Sequence, residues 1–319
     1  MNIRNIISVY ILLFLPIYSS YANETHQTWV DESHTNVSGT LDSWASEIDS
    51  WFGETDPNEP GSAVLRIMLD SEWNRYDGYS IKPRIRGKLR LPTLKRRFSL
   101  VFGDDSLDNE ISKNHLNKNY SKPLKKDTIY DRKQSTEDNK SLAIRWSDSI
   151  KNLGIHLKVD LGIRSGSDIY LRFKGDKEWQ LSNNVTSRLE TIYRLGTKSK
   201  HYAQINWENK YTENSRRFFA NQLYLGYTNN LKSENIYWGN SLYRQHNYSN
   251  YKSLSYGIAV TGKLTSHQFS IDRYGPFINW RQPIWRKWLF IQPEVNFYNN
   301  SELDRKHHIG AFFRLEAIF

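Results

Sequence analysis

The residues best placed to do chemistry in this chain are cations set at every second position. Across 79–91, Lys82, Arg84, Arg86, Lys88 and Arg90 fall on one side of an alternation, against Tyr79, Ile81, Ile85, Leu89 and Leu91 on the other. A row of this kind attracts anions through its summed field. A soluble sheet would turn it to water and a closed barrel would turn it to a lumen, so the row alone defines no ligand site. The next candidates are a nucleophile and a base. In QHNYSNY, His246 and Ser249 lie three apart, and a serine attacks only when a histidine within hydrogen-bond reach takes its proton. Strand positions three apart face opposite ways, so a turn rich in Asn and Ser is the simpler reading. His307 and His308 are adjacent and face apart for the same reason, which makes them a poor metal pair. The chain carries neither HExxH nor a phosphate-binding Gly loop. It has no cysteine, which excludes disulfides, thiolate nucleophiles and cysteine metal sites. The sequence therefore assigns no catalytic residue, no metal and no cofactor.

The elements that must position these side chains read as strands. In IHLKVDLGI, Lys158 and Asp160 alternate with Leu157, Val159 and Leu161. Arg172 alternates with Leu171 and Phe173, and Arg188 and Glu190 oppose Leu189. Near the end Glu294 opposes Ile291 and Val295, while Arg314 and Glu316 oppose Phe313, Leu315 and Ala317. Period two is the side-chain period of a strand. The segments run about 9–12 residues, which is what a tilted strand needs to cross a bilayer. Strands fall near 63–72, 79–91, 97–104, 140–147, 154–164, 167–176, 185–195, 201–211, 217–228, 234–246, 253–264, 270–281, 287–298 and 308–319. That makes 14 segments, and the weak pattern between 97 and 147 leaves 12 open as well. The charged stretch 105–139 has no sustained apolar face and reads as a long extracellular loop.

Ahead of the strands lies a different organisation. MNIRN followed by the apolar IISVYILLFLPIYSS and small residues at Ser20 and Ala22 reads as a secretory signal peptide over 1–22. An uncleaved anchor is the alternative, although the apolar run is short for a spanning helix. Residues 23–62 form a polar segment, weakly ordered over 23–37. Within it Leu41, Trp44, Ile48, Trp51 and Phe52 recur at helical spacing, which predicts an amphipathic helix over 38–52. That helix could sit under a barrel mouth, enter the lumen or rest on the periplasmic membrane face.

Bulk properties fit a barrel without requiring one. The formal charge is +10 and aromatic residues make up 14% of the chain, with 20 Tyr and 11 Trp. Mean hydropathy is −0.72, too low for a bundle of spanning helices but compatible with strands that show one face to lipid and one to a wet interior. A Tyr-rich soluble β protein has the same composition.

The closing HIGAFFRLEAIF puts Ile309, Ala311, Phe313, Leu315, Ala317 and Phe319 on one face. With this terminal strand the chain resembles Gram-negative outer-membrane β-barrel proteins in general, over about 63–319. The resemblance implies an all-β fold, a closed antiparallel transmembrane barrel of 12–14 strands in the outer membrane. It also implies that Phe313, Leu315 and Phe319 are read as a signal by the outer-membrane barrel assembly machinery, and that lipid and lipopolysaccharide surround the barrel. In such a barrel the lumen lining is Lys82, Arg84, Arg86, Lys88, Arg90, Lys158, Asp160, Arg172, Arg188, Glu190, Glu294, Arg314 and Glu316. The carboxylates would pair with the arginines in a network that satisfies both.

Three functions compete on these residues. The first is a structural or porin-like barrel that passes small anionic solutes along its basic lining. The second is surface recognition or adhesion through the outer loops, 105–139 above all. The third is a lipid-active enzyme. The outer-membrane phospholipase family sets its histidine and serine two apart on one strand face, and His246 with Ser249 departs from that spacing. The expectation is a non-enzyme. Nucleic acid is not expected as a partner of an exported barrel.

Overall fold

The computed structural model describes residues 28–53, 60–93, 97–103, 141–164, 167–230, 233–265 and 268–319. The expected signal peptide and the loop 105–139 lie outside the described residues. One helix, α1 (Trp29–Ser50), is followed among the described residues by strands β1 (Ser62–Asn74), β2 (Gly78–Leu91), β3 (Phe98–Phe102), β4 (Ser141–Ile150), β5 (Ile155–Arg164), β6 (Asp168–Ser182) and β7 (Val185–Gly196). The second half consists of β8 (Lys200–Asn214), β9 (Arg217–Asn230), β10 (Ser233–Asn247), β11 (Ser253–Thr265), β12 (Gln268–Pro283), β13 (Leu289–Asn300) and β14 (Arg305–Ile318). Each strand pairs antiparallel with the next, and β1 pairs with β14 to close the barrel. The count of 14 strands settles the open choice between 12 and 14. The weak region does contain β3, whose five residues are too few to show a clear period.

The seam between β1 and β14 runs to the end of the chain. Phe319 donates its N–H to the Leu65 carbonyl at 2.8 Å and accepts from the Leu65 N–H at 3.1 Å. A closed ring leaves no strand edge unpaired, which a lipid environment demands. The two faces of the wall are inverted relative to a soluble protein. Outside, Ile67, Leu69, Ile85, Ile144, Leu161 and Leu225 are exposed, while inside, Arg66, Arg84, Arg145, Asp160, Arg314 and Glu316 are buried. An exposed apolar band around a buried charged interior is the signature of a barrel that spans a bilayer. Strands β6, β8, β10 and β12 run 15–16 residues. They exceed the expected 9–12 because polar residues such as Glu178 and Gln180 keep pairing past the apolar band.

One expectation, the start of the helix, is corrected below. The aromatic run from Tyr274 to Trp288 is split between the two faces of the wall. Its period of two divides it across the wall. Tyr274 faces outward, whereas Phe277 points inward and is buried with Phe218, Tyr243 and Tyr298. The helix begins at Trp29 rather than at Ser38. Thr28 and Asp31 form a reciprocal cap, the Asp31 carboxylate accepting from the Thr28 N–H at 3.0 Å and from its hydroxyl at 2.9 Å. Ser33, Thr35, Thr40 and Ser43 then return their hydroxyls to carbonyls four residues back. A polar stretch that satisfies its hydroxyls inside the helix need not break it.

Helix α1 lies outside the barrel wall, across the seam at the end where β1 starts, β14 finishes and the turn between β12 and β13 falls, here the turn side. Gly61 meets the Ala45 backbone so closely that an added Cβ would sit 2.7 Å from its carbonyl. Leu89 and Leu91, on the outward parity of β2, are only 8% and 4% exposed, and α1 packs on β1 and β2. The His34 ring stacks on Trp288 and on outward Phe319, and its Nε2–H donates to the Ile318 carbonyl at 2.8 Å. Asp31 takes a bidentate pair from Arg286 at 2.5 and 2.6 Å. At the other end Asp49 accepts from the Thr93 N–H at 3.1 Å and from its hydroxyl at 2.8 Å.

Replacing Gly61 with Leu is expected to push α1 off the wall and leave the barrel closed. A Glu-specific protease should then cut at Glu32 and Glu47 faster than in the parent protein while the barrel resists; equal cleavage rates would refute the packing. The Arg286 guanidinium, with the Thr28 backbone, holds the Asp31 carboxyl well below the usual carboxylate range. A carboxylate depressed in the folded state stabilises it at pH values above its unfolded pKa, roughly 4, and that contribution is lost as the pH falls towards the folded value. On acidification below pH ~4, α1 is expected to loosen progressively, read as rising mobility of a spin label at Ser43→Cys. Asp31→Asn should abolish most of that pH dependence.

Candidate functional site

The inward face of the barrel is a charged interior with two unlike walls. On the first, formed by β14 and β1–β7, arginines and carboxylates interlock. Asp160 accepts a bidentate pair from Arg145 at 2.6 and 2.8 Å and a further bond from Arg172. Asp70 accepts from Arg314 at 2.6 and 2.9 Å and forms an ion pair with Arg84 at 2.9 Å. Glu316 pairs with Arg66 and, at 2.6 Å, with Arg281. Glu190 stands 3.3 Å from Arg188 and 3.4 Å from Lys174. The cause is the register. Strand neighbours Asp160 and Arg145, or Asp70 and Arg314, are direct cross-strand partners, which brings opposite charges on one face within bonding reach.

The second wall, β8–β13, is amide and aromatic. Tyr202 bonds Gln204, which bonds Asn206 at 2.5 Å, which reaches Glu190 at 3.0 Å. Gln245 accepts from Ser255 at 3.1 Å, and Asn279 donates to Glu294 at 3.4 Å. Phe218, Tyr243, Phe277 and Tyr298 cluster on the same side. Buried polar groups are tolerated here because each chain of amides hands its hydrogen bonds to the next.

All the residues assigned to the lining from sequence lie on the inward parity of their strands. Arg84, Arg86, Asp160, Arg188, Glu190, Glu294, Arg314 and Glu316 are buried; Lys82, Lys88, Lys158 and Arg172 are half-buried, and Arg90 is exposed near the turn-side rim. Sequence reasoning missed Arg66, Asp70 and Arg145, which complete three of the ion-pair sets. A signal existed in SAVLRIMLDSEWN, where Arg66, Met68 and Asp70 alternate with Leu65, Ile67 and Leu69. Pairing itself was illegible, because cross-strand partners are set by register, which at the seam joins Asp70 to Arg314 across 244 residues.

The candidate nucleophile–base pair is not assembled. His246 sits on the outward face with its Nε2 3.3 Å from the Tyr256 hydroxyl. Ser249 accepts from the N–H groups of Tyr251 and Lys252 at 3.2 Å each, in the turn. A different serine and histidine do meet. Ser149 Oγ is 2.7 Å from His156 Nδ1 on the inward face, with Asp176 next in register. Asp176 is engaged by Arg188 at 3.3 Å. His307 packs with Tyr274 and Phe297, and His308 with Tyr76, so the adjacent pair does face apart. Phe313, Leu315 and Phe319 are on the outward parity of β14, the last stacked with His34 and Trp288.

No family model matches the chain, and no curated protein matches it by sequence. Solved barrels match it in shape. One is OmpT lacking loop L8, an outer membrane protein of Vibrio cholerae, at a TM-score of 0.51 and 7% identity, over 81% of this chain and 99% of that one. Others are OprB of Pseudomonas putida (TM-score 0.47, 9% identity, 81% and 94% covered) and the outer membrane channel DcaP of Acinetobacter baumannii (0.44, 9%, 84% and 99%). At 7% identity the likeness to the Vibrio cholerae protein is one of fold: this chain is a closed 14-stranded antiparallel barrel of the outer-membrane kind.

Removing one member of a buried pair strands the other. Asp160→Asn is expected to destabilise the barrel by about 3–5 kcal/mol in urea unfolding from lipid, because two guanidinium groups lose their carboxylate in a shielded interior. Asp148→Asn, whose pair with Arg97 at 3.0 Å is open to solvent, should cost no more than about 1 kcal/mol. Equal losses for the two variants would contradict the buried network.

Proposed function

We propose that this outer-membrane barrel is porin-like and passive, passing small anionic solutes along the wall built by β2. The observation that supports this most is local: β2 presents Lys82, Arg84, Arg86, Lys88 and Arg90 to the interior in succession, with no acidic residue on the same strand face. Neighbouring carboxylates neutralise part of the row, as Asp70 does beside Arg84. A basic, narrow, low-dielectric lining raises the local concentration of anions and repels cations. The wall opposite, rich in amides and aromatic rings, offers neutral hydrogen-bonding groups, a surface suited to the polar body of a solute whose acidic group follows the arginines.

A second reading is a closed structural barrel. It is favoured by the near-complete shielding of Arg145, Arg314, Gln204, Gln245, Gln292 and Glu316, contributed by strands all round the ring. The two readings differ in one measurement. Reconstituted into a planar bilayer, a porin-like barrel gives small, discrete conductance steps with a reversal potential that favours anions. Replacing Lys82, Lys88 and Arg90 together with Gln should weaken that preference and leave the folded barrel intact. Absence of steps from correctly folded protein would overturn passage and leave the structural reading.

A further inference from the structure

Helix α1 divides its surface three ways, and only two of the three sectors are accounted for by the fold. The first faces the barrel: Asp31, His34, Ala45 and Asp49 contact the turn after β12, the end of β14, the start of β1 and the turn after β2. The second is polar and open to solvent, with Glu32, Thr35, Asn36 and Ser50 exposed. The third carries Val37, Trp44 and Trp51, successive at seven-residue spacing and so stacked along one line of the helix. Trp44 is 56% and Trp51 71% exposed. Two bare indoles in line on a helix of a soluble surface would be a liability. On a barrel they have a natural destination.

We propose that α1 is an interfacial helix that lies in the leaflet at the turn-side end of the barrel, with Val37, Trp44 and Trp51 among the upper acyl chains and headgroups. The inference rests on the reading of the barrel as a membrane protein. Three observations carry it. The helix is on the outside of the wall, over Leu89 and Leu91, so its flank continues the lipid-facing band rather than a lumen surface. Its polar contacts are all with the rim, through Asp42 to the Ala63 N–H at 2.9 Å, Ser46 to the Gly61 carbonyl and Asp49 to Thr93, which fixes which edge turns away from the band. It is not long and apolar enough to cross a membrane, so it lies on the bilayer rather than through it.

The chemistry of the partner follows from the charge. The helix contains Asp31, Glu32, Asp42, Glu47 and Asp49 and no lysine or arginine. Anionic headgroups therefore offer it no attraction, and its hold on the leaflet is apolar insertion plus indole N–H bonding at the headgroup level. The occupant is the acyl and headgroup zone of a zwitterionic lipid. Because α1 spans the seam from Arg286 to Thr93, the same insertion pins the closing strands to the membrane surface.

The absence of native cysteine makes the test direct. Single spin labels are placed on the full chain at Val37→Cys, Thr35→Cys and, on the wall, Leu161→Cys, each refolded into phosphatidylethanolamine–phosphatidylcholine vesicles. Collision with oxygen and with an aqueous nickel chelate reports the surroundings. The expected result is that Val37 matches Leu161, with an oxygen-to-nickel ratio several-fold above that of Thr35. Adding phosphatidylglycerol should leave the Val37 ratio unchanged, and Trp44→Ser with Trp51→Ser should lower it towards that of Thr35. If Val37 is as open to nickel as Thr35 while Leu161 remains in lipid, the interfacial helix is overturned and the membrane barrel stands. If Leu161 is itself open to nickel, the barrel reading falls. If Val37 is closed to both reagents, a protein partner covers the stripe and the lipid assignment is wrong.

Discussion

Every feature of this molecule depends on one constraint: backbone N–H and C=O groups that face lipid must find partners within the protein. A sheet meets that condition only by closing, and the closure here falls between the first and last strands of the chain. Leu65 and Phe319 exchange both of their backbone hydrogen bonds, so the final residue of the sequence is part of the ring. Once the ring is closed, the alternation of each strand is forced into an outside and an inside. The apolar half must suit lipid and the polar half must live in a confined interior.

Confinement explains the ion pairs. An unpaired guanidinium in a shielded interior costs several kcal/mol, so arginines survive there only with carboxylates at bonding distance. The pairing is not random within the wall. Asp70 with Arg314, and Arg66 with Glu316, bridge the seam from within, while Leu69 opposite Leu315 faces the other way. The closing interface is thus joined by charge on one side and by apolar contact on the other. The amide-rich wall of β8–β13 meets the same demand largely with neutral groups, by relaying hydrogen bonds along the strand as Tyr202, Gln204 and Asn206 do.

The rim shows the same logic at the water interface. A helix with three sectors needs three environments, and the turn-side edge of a barrel offers them together: strand ends with polar groups to cap, lipid beside the wall and water beyond it. Asp31 and Asp49 anchor the two ends of α1. His34 is inserted between rings at the chain terminus, where a single imidazole joins the helix, the β12–β13 turn and β14.

The sequence by itself determined the class of fold and the face on which each strand residue stands. Both follow from period two, a local property that survives in every segment, and the terminal strand ending at Phe319 was legible for that reason. The signal weakened where elements were short, as in the five residues of β3. It also misplaced the start of α1, since a run of Ser, Thr and Asn looks unstructured until its hydroxyls are seen bonding back to the helix. Tertiary structure alone decided which cation meets which carboxylate, that Arg66, Asp70 and Arg145 belong to the network, and that α1 lies outside the wall. Those outcomes depend on strand register and on where the ring closes. Both are long-range properties, fixed by pairing between segments as distant as β1 and β14, which no window on the sequence contains.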